Sequence, residues 1–187
     1  MSMLFELRSI PEDQANSLRR DPSDIFFFLH GSEPYEPPKG LIQKFFGSKK
    51  EKPQRKWEPP KTGSVLNLDS NWHVLHYFLS RSAWEGSIPE GALMAGVELG
   101  SVDVGYGPAK MLIPGEVESF SNFLNSLSEK HFGAGITGAE LVENEIYGGY
   151  AEWGKESTSS LWGYVEELKK FLSGAREAEE YVVMYVY

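Results

Sequence analysis

The chain has 187 residues, a formal net charge of −9, 41% hydrophobic and 13% aromatic side chains, and no cysteine. That suits one ordinary domain with a full hydrophobic core, and it excludes disulfides, thiolate nucleophiles and cysteine-ligated metal clusters. No apolar run approaches the ~18 residues of a membrane span, and MSMLFELRSIPEDQ lacks the apolar segment of a signal peptide, so a soluble cytoplasmic protein is expected.

MLFELRSI alternates apolar and polar residues and predicts a strand. Pro11 then opens a helix with Glu12 and Asp13 in its first turn, where acids suit the helix dipole. Asp21-Pro22 starts a second, short helix carrying Ile25, Phe26, Phe28 and Leu29. From about residue 31 to 63 the composition changes to proline and charge, which predicts a surface insertion or linker within one domain spanning 1–187. Phe45, Phe46 and Trp57 would be anchors if that arm docked on a partner. Between Glu33 and Thr62 eight basic residues face four acids, a local charge of +4 that leaves −13 on the rest. Such an acidic body repels phosphate backbones and argues against nucleic-acid binding. It would suit a basic protein partner, although a solvated acidic surface looks the same.

LDSNWHVLHYFLS, residues 68–80, predicts a helix capped by Asp69 or Ser70. Trp72, Leu75, His76 and Leu79 recur at helical spacing, and Val74 and Phe78 add a second apolar face, so the helix should be well buried. MLIPGEVESFSNFLNSL predicts another, with Pro114 at its first position and Val117, Phe120, Leu124 and Leu127 on the inner stripe. A long helix follows, with Ser157 to Ser160 as possible caps and Leu161, Val165, Leu168 and Leu172 facing the core. YVVMYVY closes the chain and is apolar on both parities, the mark of a strand covered on both faces. Its obvious neighbour is the N-terminal strand. The expected fold is α+β: a mostly helical domain around a small sheet that includes both terminal strands.

Three stretches could carry chemistry. Asp69, His73 and His76 share one helical face, and histidines at i and i+3 beside a carboxylate can hold zinc or iron. Against that, Asp69 is expected to cap the helix, the glutamate of H-E-x-x-H is missing, and His76 lies on the apolar face. His76 therefore reads best as a packed histidine and His73 as a half-exposed one. GYGPAK, residues 105–110, resembles a phosphate loop only superficially. It lacks the Walker pattern and the third glycine of G-x-G-x-x-G, and reads as a rigid turn leading to the next helix, with Tyr106 free to line a cleft. ENEIYGGYAEW, residues 143–153, gathers Glu143, Glu145, Tyr147, Tyr150, Glu152 and Trp153. Paired carboxylates with aromatic platforms could act on a sugar, yet acidic loops are ordinary in an acidic protein. G-x-S-x-G is absent, which disfavours an α/β-hydrolase.

These stretches together resemble the YfbM-like family, the domain of unknown function DUF1877. LNLDSNWHVLHYFLS is similar to its "LDLDKAWHxLHYLLTG" signature, and SAWEG follows in both. VGYGPAKMLIPGEV resembles "GYGPxRxLTPEEV". EIYGGYAEW stands where the family has "xIYPxxW", and the ending YVEELKKFLSGAREAEEYVVMYV resembles the family's last helix and strand. The chain departs from the pattern at Ile113, where threonine is usual and would cap the following helix, at Gly148 in place of proline, and at Ser70 and Asn71. The arm falls in the family's variable part. The resemblance implies a bacterial intracellular α+β domain and supplies no activity.

Trp72, His73, His76, Tyr106, Glu145, Tyr147 and Trp153 are therefore the candidate cleft or binding residues. No catalytic residue, metal or cofactor is assigned, and the oligomeric state is open. The expected function is a non-enzymatic protein-binding domain, of immunity or regulatory type, acting through its acidic surface. The alternative is a small-molecule- or metal-binding enzyme with an aromatic cleft around His76.

Overall fold

The computed structural model describes residues 2–31 and 64–187. The expected arm, with Phe45, Phe46 and Trp57, lies outside the described residues apart from Gly31. The chain opens with strand β1 (Phe5–Ile10), helix α1 (Glu12–Arg20), a 3-10 turn at Pro22–Asp24 and helix α2 (Ile25–His30). It resumes in strand β2 (Val65–Asn67), a 3-10 turn at Asp69–Asn71 and helix α3 (Trp72–Ser80). Strands β3 (Val97–Asp103) and β4 (Pro108–Leu112) form a hairpin before helix α4 (Pro114–Ser126), helix α5 (Gly138–Glu143), helix α6 (Lys155–Glu177) and strand β5 (Tyr181–Val186).

The five strands make one antiparallel sheet in the order β2-β1-β5-β4-β3. The two terminal strands are direct neighbours, paired from Phe5↔Val186 to Ile10↔Tyr181. The α+β expectation and the joining of the chain's two ends are thus met. The double parity of the last strand has the anticipated cause. Val182 and Met184 face a core built with α3, α4, α5 and α6, whereas Val183 and Tyr185 face a second core built with α1 and α2. Each face is dry, so neither set of alternate residues can be polar without a partner.

The second face carries one buried polar cluster. The Tyr185 hydroxyl donates to Glu6 Oε1 at 2.7 Å, and the Arg8 guanidinium bonds both Glu6 and the Tyr185 oxygen. Burial, and then the hydrogen bond to Glu6, hold the Tyr185 phenol well above its usual range. Phenol, carboxylate and guanidinium satisfy one another in a largely buried site.

Several local expectations need correction. Asp69 and Ser70 do not cap α3. The residue before that helix is Asn71, without a side-chain cap, and Asp69 sits in the preceding 3-10 turn at φ +49°, where its carboxylate accepts from Tyr164 Oη at 3.2 Å. The long helix α6 begins at Lys155 after Gly154, so Ser157 to Ser160 lie inside its first two turns. Met111 and Leu112 belong to β4 and not to the helix at Pro114. That helix starts after Ile113 without a side-chain N-cap, as the missing threonine implies, and Glu116 offsets this by accepting from the Ile113 N–H at 2.9 Å.

Replacing Tyr185 with Phe should lower stability by about 1.5–3 kcal/mol, the range for losing a hydrogen bond to a charged group. Urea unfolding of the two proteins measures it, and an unchanged midpoint would show that the cluster is not coupled to folding.

Candidate functional site

Helix α3 is short and almost entirely enclosed: of its residues, Trp72 through Leu79 are buried and Ser80 alone is partly open. Its two histidines are therefore buried polar groups that need partners. His73 has both. Its Nδ1 accepts the Tyr147 backbone N–H at 2.9 Å, which fixes the neutral tautomer with the proton on Nε2, and Nε2 donates to the Ala83 carbonyl at 2.6 Å. His76 donates from Nε2 to the Glu85 carbonyl at 3.1 Å, with the Ser80 hydroxyl 3.3 Å away. Its Nδ1, like the indole N–H of Trp72, has no protein partner among the described residues. The expectation of a half-exposed His73 is overturned, since both rings are 0% exposed. The packed reading of His76 agrees with its burial.

Rings stack above this helix. Trp72 lies between Phe5, at 5.4 Å between centroids, and His73, at 5.0 Å, with interplanar angles of 26° and 24°. Trp84 closes the stack on His73 at 4.1 Å and keeps 53% of its surface exposed. Each ring in the stack covers the next, so the buried His73 imidazole sits under an exposed indole.

Burial lowers the pKa of both histidines. For His76 it is pushed down to about 4, with the neighbouring His73 and Lys110 adding to the effect and the Glu85 carbonyl opposing it. Both rings are therefore neutral donors at pH 7.

Tyr147 joins the same assembly, because its hydroxyl accepts the Met3 backbone N–H at 3.1 Å. Trp72, His73, His76 and Tyr147 are thus brought together. Trp153 lies further along α3, packed on Phe78 at 5.8 Å, with its indole N–H donating to Thr158 Oγ1 at 3.1 Å. It lines a cleft of about 490 Å³ with Phe132, Lys130 and Lys155 at the start of α6. Tyr106 and Glu145 stand apart. Glu145 is exposed at φ +53° just beyond α5. Tyr106 is 49% exposed in the β3–β4 turn and shares no hydrogen bond or ring contact with the other six among the described residues.

That turn explains GYGPAK. The expected rigid turn is a hairpin whose last residues, Pro108 to Lys110, are already in β4. Asp103 Oδ1 accepts from Gly105 N and Gly107 N at 2.9 and 3.0 Å, and these bonds hold its carboxyl below the usual range. The amides that a phosphate would need are engaged by the chain's own carboxylate. Gly107 is required for its backbone, at φ +106°.

Gly148 answers the missing family proline: its φ of +81° is one that proline, locked near −65°, cannot adopt. Trp84 and the carbonyls of Ala83 and Glu85 were missed as site elements. The signal for them was the SAWEG stretch that follows the histidine helix. Among the described residues no group of three or more His, Asp or Glu is arranged to hold a metal ion, and the Asp69 carboxylate accepts from Tyr164 Oη.

His73→Phe keeps the stack and strands the Tyr147 N–H and Ala83 carbonyl, so stability should drop by about 2–4 kcal/mol in chemical denaturation. Stability should also depend on pH. The folded His76 pKa lies below the unfolded 6.5, so the unfolded chain binds the extra proton. Full stability is present above pH 6.5 and falls by about 3 kcal/mol as pH drops through about 4. A flat stability profile between pH 7 and 4.5 would contradict a neutral buried His76.

The fold has a solved counterpart. The crystal structure of YfbM from Escherichia coli, a protein of unknown function, superposes with a TM-score of 0.62 over 98% of this chain and 99% of that one, at 16% identity. At that identity the likeness shows a shared fold. No curated protein matches the chain. The family model for DUF1877, a domain of unknown function, matches residues 1–185. The histidine helix, the hairpin and the paired terminal strands up to residue 185 thus lie within the matched region, and this chain belongs to the DUF1877 family.

Proposed function

We propose that this chain is a non-enzymatic interaction domain of the bacterial cytoplasm that binds a basic segment of a partner protein, in an immunity or regulatory role. The surface is the outer side of α5 and the loop that follows it. Val142 and Tyr150 are 53% and 44% exposed there, and Glu143, Glu145 and Glu152, all exposed, surround them in the chain. An apolar centre with an acidic surround fits a partner that offers lysine or arginine around an apolar anchor. No helix among the described residues is long and apolar enough to cross a membrane.

The observation that carries the reading is the anchoring of this loop. His73 binds the Tyr147 N–H and Met3 binds the Tyr147 hydroxyl, so the exposed residues are held before any partner arrives. A surface ordered in advance loses less conformational entropy on binding. An enzyme built on His76, Tyr106 and Glu145 has less support, because the His76 ring is fully covered and the other two residues lie in separate exposed turns.

The test is an affinity capture from the native lysate with the tagged wild-type chain and with the Glu143→Lys/Glu145→Lys double variant. A stoichiometric partner should bind at least about tenfold more weakly to the double variant, and should be lost at high salt. Glu118→Lys, an exposed reversal on α4, should leave capture intact. Capture insensitive to both salt and the double reversal would sink the proposal.

A further inference from the structure

We propose that His73 and His76 form an acid-sensitive latch that holds two surface loops, residues 82–86 and 145–149, against the core. The geometry has one distinguishing feature. Among the described residues, the hydrogen bonds that the two rings make outside their own helix run to these loops and none to the sheet. Ala83 and Glu85 accept from the Nε2 atoms, and Tyr147 donates to His73 Nδ1. The first loop is further tied by the Ser82 N–H to Ser80 Oγ and by the Glu85 N–H to Ser82 Oγ.

Protonation breaks this arrangement at defined atoms. Each ring takes one proton from solvent, at Nδ1. On His73 that converts the acceptor of the Tyr147 N–H into a second N–H, so two donors face each other. On His76 it places a charged N–H where no protein acceptor stands among the described residues. The charged and titratable groups near the rings give no relief. From α3 each histidine faces the other, and Ser80 is neutral. From β4 the influence felt at His76 is the cation of Lys110. From the loops come the carbonyls of residues 83 and 85, the Trp84 indole and the Tyr147 amide, while the Glu85 side chain belongs to an exposed residue. Among the described residues no carboxylate bonds either ring. Two adjacent buried cations beside a third are strongly unfavourable.

Water can reach the rings without loss of the sheet. Trp84, the residue that caps the stack, is already half-exposed and sits in the first loop. Opening residues 82–86 and 145–149 hydrates both imidazoles and leaves the β1–β5 ladder paired. Such sub-global opening has a lower free energy than unfolding. The inference concerns the free protein and stands whether or not the acidic loop binds a partner.

Hydrogen exchange of the full chain at pH 7 and pH 5, corrected for intrinsic rates, tests it. Amides of the two loops should lose protection by at least about tenfold at pH 5, and at both pH values they should exchange through an opening of lower free energy than the unfolding that exposes β1 and β5. In the His73→Gln/His76→Gln variant, whose amides cannot titrate, the pH dependence of loop protection should vanish. Proton NMR of the wild-type rings covers the case in which that variant does not fold. His73 and His76 should titrate in step with loop opening, below the ordinary imidazole range. Loop protection unchanged at pH 5, loops that open only together with the sheet at both pH values, or ring titration without loop opening would each overturn the latch.

Discussion

The arrangement depends on one constraint: a helix of nine residues carries two imidazoles into a space that water does not enter. A buried polar ring must find donors and acceptors within the protein. An isolated helix of that length would be marginal in water, so α3 exists because of what encloses it. The enclosure is apolar on most sides, built from β1, β5, α4 and α6. Where the histidines emerge it is made of loop backbone. The fold thus turns two side chains into fixed points for the segments 82–86 and 145–149, beside the burial of Ile146 in the core.

Much of the framework was legible in the sequence because it rests on periodicity and on burial of one pattern against another. β1 alternates, and β5 is apolar on both parities because helices cover both sides of the sheet. The inner stripes of α4 and α6 are the ones their spacing predicts, Val117, Phe120 and Leu124 on one and Leu161, Val165, Leu168 and Leu172 on the other. Elements held by one or two buried residues left no such trace. In β3 the sole buried residue is Leu99, since it is an edge strand with a register shift and Gly100 at φ +71°. β2 is three residues long. Neither could produce a run of alternation for a reader to find.

The site was legible in part for a related reason. Helical spacing placed Trp72, His73 and His76 on one element, but it says nothing about which far segment lies over them. His73 reads as peripheral on a helical wheel because Trp84 and Tyr147, its cover, come from loops well away in sequence, Tyr147 74 residues on. Asp69 looked like a cap by position. Its left-handed backbone and its bond to Tyr164 come from packing against α6, which local rules do not contain. The glutamates of the acidic loop were visible as composition, whereas their attachment to His73 was not.

The hairpin at Asp103 shows how one short motif can be chemically apt for two uses. Two glycine amides converge on a point, as they would on a phosphate oxygen. An anion does occupy that point, and it is the carboxylate two residues before the first glycine. An intramolecular carboxylate is present at high effective concentration, so a dissolved phosphate competes at a disadvantage. The Tyr106 N–H, between those two amides, is used differently again: it donates to the Val186 carbonyl at 3.0 Å and pins the turn to the end of β5. Two amides of the glycine turn thus close the hairpin on itself, and the third fixes it to the terminal strand. The same logic governs α3. In both places most of the groups that could bind a ligand are satisfied by the chain itself, and they order the surface turns around them.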